Sequence, residues 1–497
     1  MIFDSLLTLS PASFAILLAT LLMTIVYFAL KRRNLPPGPV GLPFIGYWPF
    51  MNNTNCHQIL DDLKKKHGDV FCFTCTGTLY INLGSIKALR EAHITKSECF
   101  GERFTDFTLM KYMFEKGVAF INGEAWKVQR KFFIQVLKER GSISMKNDIA
   151  GALYDSIKST IDDLKAKKGE PVNLVELLTH KCNTNLRVAM FGETGISEEK
   201  LQTMVELYGE EVASTTAMNV LLIGKIAKYL IFPLKPEYYK TLKNQKKLKS
   251  MLFGVVNEHK ATYDEENMRD VIDEYFKERD TRRSKGDPTA EYFSDESLVE
   301  SLILFVGDGV LSIAAFVSSM LTHLIDNPEE QEKVYKEIVD VVGLDRQPSI
   351  EDKSNLTYLN AFILESLRAT NMFPFFPSLQ CTKETTLNGY RIPKGAITLV
   401  NFYSIHNDPE VYEEPKKFNP SRYIQTAGKQ RAELPVPFGV GKRACLGESF
   451  TMMQIFLFVA TIVQNFRLSL PEGTKSTSYE IFLSGKLSIC AHLRNQS

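Results

Sequence analysis

One cysteine of this chain stands just before a long apolar helix pattern, with two glycines and an arginine close to it. Cys445 lies between Gly441 and Gly447, Arg443 precedes it by two residues, and the helix pattern runs from residue 449 to 466. A thiolate here would face the unpaired N–H groups and the positive end of the helix dipole. The glycines leave room for a flat ligand, and the arginine suits a carboxylate on its edge. The pattern indicates a thiolate presented to a haem iron; a small core cysteine is the alternative.

A second group of charged residues could fix the loop that carries this cysteine. Glu365 and Arg368 are three apart and share one face of a predicted helix. Apolar neighbours indicate partial burial, where an ion pair needs further partners to offset desolvation. Arg422 is the candidate third member of a structural triad. The alternative is an ordinary exposed pair worth about a few tenths of a kcal/mol.

A tryptophan and an arginine also share a helix face. Trp126, one of only two tryptophans, stands four residues before Arg130. A buried indole N–H needs an acceptor and an arginine suits a carboxylate, and a haem propionate provides both. The other interpretation is a tryptophan packed in the core beside a surface arginine. The pair taken alone favours this second interpretation.

The longest helical pattern, Asp295–Ile325, is interrupted by glycines. Gly307 and Gly309 flank Asp308. A mid-helix glycine costs about 1 kcal/mol relative to alanine, so the two indicate either a flat ligand close to Gly309 or tight helix packing. In the first case Asp308 or Ser312 would lie near the open face of that ligand, and both are candidate catalytic residues.

The composition is that of a globular protein. The chain has 497 residues, of which 44% are hydrophobic, and a net charge of +1, which gives no reason to expect nucleic acid as a partner. No long linker follows residue 46, so residues 47–497 are predicted to form one domain. The eight cysteines lack disulfide spacing, which indicates a reducing compartment. Cys72 and Cys75 form a C-x-x-C without a second pair at zinc spacing, and are predicted to pack within a strand pair, Val70–Leu83.

Residues 1–33 predict a membrane anchor that ends in a basic stop-transfer signal. No charge occurs from Ser5 to Leu30, and Phe14–Leu30 is almost wholly apolar and long enough to cross a bilayer. A cleaved signal peptide is disfavoured because the positive charges at 31–33 follow the apolar run. These charges place the body in the cytosol. Residues 34–46 are rich in proline and predict a stiff, extended hinge.

The body predicts a mainly α fold with small β-sheets. Helical periodicity dominates from about residue 120 to 375, and short strands and turns follow from 380 to 440. An Asn-Pro pair at 327–328, followed by two acids, marks the start of a helix. The predicted helices are 57–67, 124–139, 149–165, 198–214, 242–259, 295–325, 329–342, 356–369 and 449–466.

With these motifs in this order, the chain resembles a cytochrome P450 of the animal, membrane-anchored microsomal type. The segment from Phe438 to Gly447 matches the family's haem-binding pattern F-x-x-G-x-R-x-C-x-G at every fixed position. The family's E-x-x-R motif matches residues 365–368, and its F-x-P-x-R-[FY] motif matches 418–423. Its W-x-x-x-R motif matches 126–130, and its proline hinge matches 36–39. The resemblance covers essentially the whole chain. It implies the P450 fold, haem b as cofactor, Cys445 as the axial thiolate, and propionate contacts from Trp126, Arg130 and Arg443.

Two positions depart from the family pattern. The central helix of the family usually carries an acid followed by an alcohol, which help to deliver protons during oxygen activation. Here Leu311 stands at the acid position and Ser312 replaces the usual threonine. A leucine neither donates a hydrogen bond nor orders water, and Asp308 is the candidate substitute. Leu379 and Gln380 lie where many relatives carry a histidine or arginine against a propionate, which predicts a weaker contact there.

The resemblance implies a monooxygenase of the endoplasmic reticulum membrane that acts on a lipophilic substrate. NADPH electrons would arrive through NADPH–cytochrome P450 reductase, with cytochrome b5 as a further candidate partner. Lys127, Lys131, Lys138 and Lys442 could form the docking face or be merely solvated. An isomerase or dehydratase of hydroperoxides, and a haem sensor without catalysis, are the alternatives. The segments predicted to line the pocket are 100–120, 198–240, 305–313, 373–378 and 481–487.

Overall fold

The computed structural model describes most of the chain after the predicted anchor. The described residues are 34–139, 148–214, 219–370, 372–425, 431–474 and 487–494, together with Ala12, Ala15, Ala19 and Met23. The described residues therefore include only those four positions of the predicted anchor. Most of the predicted lining segment 481–487 also lies outside the described residues. Among the described helices, only Asp295–Asp326 is long and apolar enough to cross a bilayer. It is mostly buried within the fold, and we interpret it as a core helix.

Helices dominate the described chain, which confirms the predicted mainly α fold. All nine predicted helices are present, and only α8 differs from its prediction by more than one residue at an end. It begins at Pro236, a residue type that favours the first helical position. The helices are α1 (Cys56–His67), α2 (Ile86–Arg90), α3 (Leu109–Phe114), α4 (Gly123–Glu139), α5 (Asp148–Ala166), α6 (Leu174–Phe191), α7 (Glu198–Ser214), α8 (Pro236–Ala261), α9 (Val271–Ser284), α10 (Asp295–Asp326), α11 (Pro328–Val342), α12 (Thr357–Ala369), α13 (Phe402–His406) and α14 (Glu448–Asn465).

The described strands form three small sheets. They are β1 (Val70–Cys75), β2 (Thr78–Leu83), β3 (Val172–Asn173), β4 (Phe376–Gln380), β5 (Thr385–Leu387), β6 (Tyr390–Ile392), β7 (Ile397–Val400), β8 (Phe466–Ser469) and β9 (Ser488–Leu493). The largest sheet has the order β1-β2-β7-β4, in which only the β2–β7 pair is parallel. The second has the order β3-β9-β8, and the third pairs β5 with β6.

The antiparallel β1–β2 hairpin confirms the predicted strand pair. Cys72 and Cys75 are both buried in β1, and no group of three metal-ligating side chains occurs among the residues that the structure describes. The proline-rich hinge lies along this strand, because Cys72 donates its N–H to the Pro37 carbonyl at 2.8 Å. A Cβ on Gly38 would lie 1.7 Å from the Cys72 carbonyl oxygen, so only glycine fits there. The hinge therefore packs against the body, but it is not extended throughout, because Leu42 and Gly46 exchange two backbone hydrogen bonds around a turn.

The central element of the fold is α10. Ser294 caps its N-terminus by accepting a hydrogen bond from the N–H of Ser297 at 3.2 Å. Seven of the described helices pack against it, namely α3, α6, α7, α8, α11, α12 and α14. The helix is continuous from Asp295 to Asp326, and its middle turns carry Asp308. The helix also packs against α14, whose N-terminus follows the cysteine loop.

Candidate active site

A tight loop holds Cys445 at the N-terminus of α14. The backbone N–H of Cys445 donates to the carbonyl of Phe438 at 2.9 Å, and the N–H of Gly447, the N-cap of α14, points to the thiol. Gly441 has a φ of +81°, and a Cβ there would lie 2.3 Å from the carbonyl oxygen of His93. Glycine is therefore needed at this position both for the turn and for the close approach of the backbone at His93.

Cys445 is the one exposed cysteine among the eight. Burial nevertheless raises the pKa of its thiol, and the N–H of Gly447 opposes this rise only in part. A side chain that is accessible and yet surrounded by protein faces an interior space. The helix N-terminus alone therefore does not make this group a thiolate, and a bound metal cation would complete its deprotonation.

Asp308 faces an interior space from α10. Its side chain is accessible, although burial raises its pKa to about 6. The O–H of Tyr208 donates to Oδ1 of Asp308 at 2.5 Å and opposes that rise. The charge of Asp308 also contributes to the raised pKa of Cys445. The two side chains are therefore both accessible within the fold and close enough for the charge of one to influence the pKa of the other.

The two glycines of α10 face neighbouring helices. A Cβ on Gly307 would lie 2.3 Å from the ring of Tyr208, and one on Gly309 would lie 3.0 Å from the side chain of Leu186. Both glycines thus allow α7 and α6 to pack closely on α10. This supports the packing interpretation and gives no support to the predicted ligand contact at Gly309. Ser312 is partly exposed and forms no side-chain hydrogen bond with any described residue.

Three arginines meet beside the cysteine loop. The Cζ of Arg443 lies 3.9 Å from the ring centroid of Trp126, and that of Arg130 lies 5.9 Å from it. Arg130 also donates to the Ala444 carbonyl at 2.7 Å. Arg103 is the third arginine, and the sequence analysis missed it. Burial, together with the charges of Arg103 and Arg130, lowers the pKa of Arg443 to about 9.

This cluster lacks a neutralising acid among the described residues. Burial and Arg130 lower the pKa of Arg103 to about 10, with no carboxylate opposing them. Glu102 acts on Arg443 more weakly than the two arginines do, and Nη1 of Arg443 is buried without a partner. Uncompensated buried charges are costly, and a ligand with two carboxylates would neutralise them. The propionates of haem b fit this requirement.

Arg103 lies against the segment where the sequence predicted a weaker propionate contact. Its Nη1 donates to the carbonyl of Ser378 at 2.9 Å. Leu379 is buried, and the side-chain oxygen of Gln380 accepts a hydrogen bond from the N–H of Thr105 at 3.3 Å. Neither side chain adds a charge to the cluster.

The predicted triad is present and buried. Glu365 accepts two hydrogen bonds from Arg368 at 2.8 Å and one from Arg422 at 3.0 Å. Glu365 is 0% exposed and Arg368 is 1% exposed. Arg368 also donates to the carbonyl of His406, whose Nε2 accepts the N–H of Val436. The triad is thereby connected to the start of the cysteine loop.

Comparison with known proteins agrees with this geometry. The family model for cytochrome P450 matches residues 36–489. The chain is 31% identical over 466 residues to cytochrome P450 18a1 of Drosophila melanogaster, covering 92% of this chain and 85% of that protein. It is 29% identical over 469 residues to cytochrome P450 2J2 of Homo sapiens, covering 93% and 91%. The chain therefore belongs to the cytochrome P450 family.

Membership of this family defines the cofactor and the class of enzyme. Its members bind haem b through a thiolate ligand, and its homologues are monooxygenases. The chain is accordingly a haem-dependent oxidoreductase, and the predicted resemblance is confirmed.

Proposed function

We propose that this enzyme inserts one oxygen atom of O2 into a lipophilic substrate, with NADPH electrons supplied by NADPH–cytochrome P450 reductase. The observation that carries the proposal is that Cys445 and Asp308 both keep accessible side chains within the fold, close enough for the charge of Asp308 to raise the pKa of Cys445. When bound, the haem supplies the redox chemistry of oxygen activation. Cys445 would hold the haem through its thiolate, and Asp308 would hold a proton close to the substrate.

The side chains of the chain have distinct roles in this proposal. Cys445 would hold the iron, and the N–H of Gly447 would stabilise the thiolate. Asp308 would hold a proton on the substrate side, with Oδ1 bonded to Tyr208, and Ser312 would order water beside it. The groups proposed to bind the propionates are Trp126, Arg103, Arg130 and Arg443.

A row of buried aromatic rings leads to Tyr208, the residue that contacts Asp308. The rings of Phe104 and Phe114 each lie 6.2 Å from that of Phe120, and Phe114 lies 6.1 Å from Tyr208. The three phenylalanines are buried, so they pack the core behind Asp308. Apolar surroundings with one polar group are typical of a small-molecule site, which supports an apolar substrate.

We expect the purified protein with reductase and NADPH to consume oxygen and to oxidise at least one compound of a lipid panel. A ligand-binding difference spectrum over that panel selects the compounds to assay. Conversion of NADPH to peroxide in equal amounts, with no oxygenated product from any compound, would contradict the proposal.

The proposed docking face for the reductase lies on α4. Lys127, Lys131 and Lys138 are exposed and share one side of this helix, and Lys442 is exposed on the cysteine loop. Glu124 pairs with Lys127 at 2.9 Å, whereas Lys131 and Lys138 form no salt bridge with a described residue. The two unpaired lysines are therefore the better candidates for contact with an acidic partner. Cytochrome b5 is a candidate second partner for the same face.

We expect the double variant Lys131→Glu and Lys138→Glu to weaken reductase coupling. Reversal of two charges at a docking rim should raise the reductase concentration for half-maximal turnover about five- to tenfold at low salt. The loss should shrink at high salt because screening removes the same attraction. Lys247→Glu, at an exposed position on α8, is the control and should leave this concentration unchanged. Equal effects of the two sets of changes would exclude this docking face.

A second candidate function is rearrangement of a hydroperoxide, which needs no oxygen activation. Two observations favour it. Leu311 stands at the acid position of α10 and lies against Gly209 of α7, and Ser312 forms no side-chain hydrogen bond with a described residue. This function requires turnover of a fatty-acid hydroperoxide without NADPH or reductase. Turnover of the lipid panel only with NADPH would exclude it.

We also propose a single-pass location in the endoplasmic reticulum membrane with the catalytic domain in the cytosol. The support is the apolar run 14–30 followed by the basic residues 31–33. The hinge 34–46 packs on β1 and would hold the body close to the membrane, with residues 47–497 as the catalytic domain. Protease protection of the N-terminus in sealed microsomes tests this topology.

A further inference from the structure

The carboxylate of Asp308 has a bonding partner for only one of its two oxygens. Oδ1 accepts the O–H of Tyr208 at 2.5 Å. Asp308 forms no other hydrogen bond and no salt bridge with a residue that the structure describes. Its side chain is accessible, although most residues next to it on α10 are buried. Oδ2 is therefore free to accept a hydrogen bond from a ligand.

No cation among the described residues balances the charge of Asp308. Burial raises the pKa of this carboxyl to about 6, and only the hydrogen bond from Tyr208 opposes that rise. The arginine cluster does not compensate the charge, because Arg130 acts on Cys445 and not on Asp308. Asp308 is thus mostly ionised at neutral pH. A desolvated carboxylate of this kind is costly unless a positive group pairs with it.

The side of α10 that carries Asp308 is otherwise apolar and leads to the cysteine loop. Phe305 and Phe316 lie about three helical turns apart on this side. The ring of Phe316 lies 5.7 Å from that of Phe438, in the cysteine loop, and the ring of Phe305 lies 5.0 Å from that of Phe133 on α4. Asp308 is therefore one charge in apolar surroundings, next to the proposed haem site.

We propose that Asp308 selects a lipophilic amine, bound as its ammonium cation, as the substrate, an inference that rests on the monooxygenase function proposed above. The ammonium N–H would donate to Oδ2 while Tyr208 holds Oδ1, and the apolar part of the substrate would lie along α10. A charge-assisted hydrogen bond is about twice as strong as a neutral one. The cation also brings a proton to the place where Asp308 would otherwise hold one. The same carboxylate repels the anion of a fatty acid.

Binding difference spectra of the haem-loaded, full-length protein test this selection. The probes are N,N-dimethyldodecylamine, the hydrocarbon of the same shape, 2-methyltetradecane, and laurate. At neutral pH we expect the amine to bind at least about tenfold more tightly than the hydrocarbon, and laurate to bind more weakly than either. Equal affinities for the amine and the hydrocarbon, or tightest binding of laurate, would overturn the proposal.

Asp308→Asn is the decisive variant, because asparagine keeps the shape and the acceptor for Tyr208 but removes the charge. It should abolish most of the preference for the amine and leave the affinity for the hydrocarbon unchanged, which also reports a folded site. Glu211→Gln is the matched control. Glu211 is a second acid of this region that influences Tyr208, but it is 1% exposed and accepts a hydrogen bond from Gln245 at 2.7 Å. No ligand reaches it, so equal losses in the two variants would overturn the contact with Asp308.

Coordination of the amine nitrogen to the iron is the other possible source of such a preference. Dodecyltrimethylammonium separates the two, because a quaternary nitrogen has no lone pair for the metal but keeps its charge. We expect this cation also to bind more tightly than the hydrocarbon, and to lose that advantage in Asp308→Asn. Tight binding confined to the tertiary amine and unaffected by Asp308→Asn would assign the preference to the iron and overturn the proposal.

These binding measurements need the haem but neither the reductase nor NADPH. Absence of NADPH-driven product from the wild type would therefore overturn the proposed function and leave the binding preference to be decided by the spectra. Loss of the preference alone would overturn the selection of an amine and leave the monooxygenase function intact. If both proposals hold, the wild type should oxidise the amine faster than the hydrocarbon, and Asp308→Asn should not.

Discussion

We expect the Cys445→Ser protein to lose the thiolate signature of its haem and nearly all of its oxygen-dependent turnover. A serine hydroxyl stays protonated where a cysteine is ionised by the metal. Changes in groups that support a metal ligand typically cost about 10- to 100-fold, so loss of the ligand itself should cost at least about 100-fold. The loop should persist, since its bond from the Cys445 N–H to the Phe438 carbonyl involves only backbone. The absorption spectrum of the reduced carbon monoxide complex and NADPH-driven product formation are the measurements.

The control for this change is Cys490→Ser. Cys490 lies on β9 and is 7% exposed, so the same chemical change is made away from the cysteine loop. Its spectrum should match that of the wild type. A thiolate-type spectrum in the Cys445→Ser protein would falsify the assignment of Cys445 as the iron ligand. The arginine cluster should still retain part of the haem, which a measurement of haem content can show.

Features with short spacing could be predicted from the sequence. Glu365 and Arg368 are one helical turn apart, so any helix through them places both on one face. The end of α10 followed from the Asn-Pro pair that also starts α11. The cysteine loop likewise depends on neighbours within ten residues.

Features that depend on distant segments could not be predicted. Arg103 belongs to the arginine cluster only because the fold brings segments near 103, 130 and 443 together. The Tyr208–Asp308 hydrogen bond joins residues 100 positions apart. Nothing local to either residue marks this pairing.

Burial on several faces also hides signals. The helix α6 was not predicted, and its buried residues include Leu174, Leu178, Asn183, Asn185 and Leu186. These positions do not form one apolar stripe, so the periodic signal is weak. The helix that carries Gly307 and Gly309 was predicted, but the reason for its glycines was not. The side chains that require glycine there belong to Tyr208 on α7 and Leu186 on α6.

The second large effect should come from the triad, far from the reacting atoms. We expect Glu365→Gln to destabilise the protein by about 3–5 kcal/mol, because it leaves Arg368 and Arg422 buried without a counter-charge. Glutamine is nearly isosteric, so the loss reports charge rather than a cavity. The cysteine loop should loosen as well, since Arg368 reaches it through His406 and Val436. Chemical denaturation and haem content measure the two consequences.

Glu332→Gln is the matched control for this prediction. Glu332 also accepts two hydrogen bonds from one arginine, Arg494, at 2.9 Å, but its side chain is 53% exposed. An exposed pair contributes about 1 kcal/mol or less, so this variant should keep its stability and its haem. The two variants remove the same charge from similar hydrogen-bond geometry and differ in burial. Equal destabilisation would show that burial does not set the strength of the Glu365 triad, whereas a large difference with parallel loss of haem would show that the triad maintains the cysteine loop.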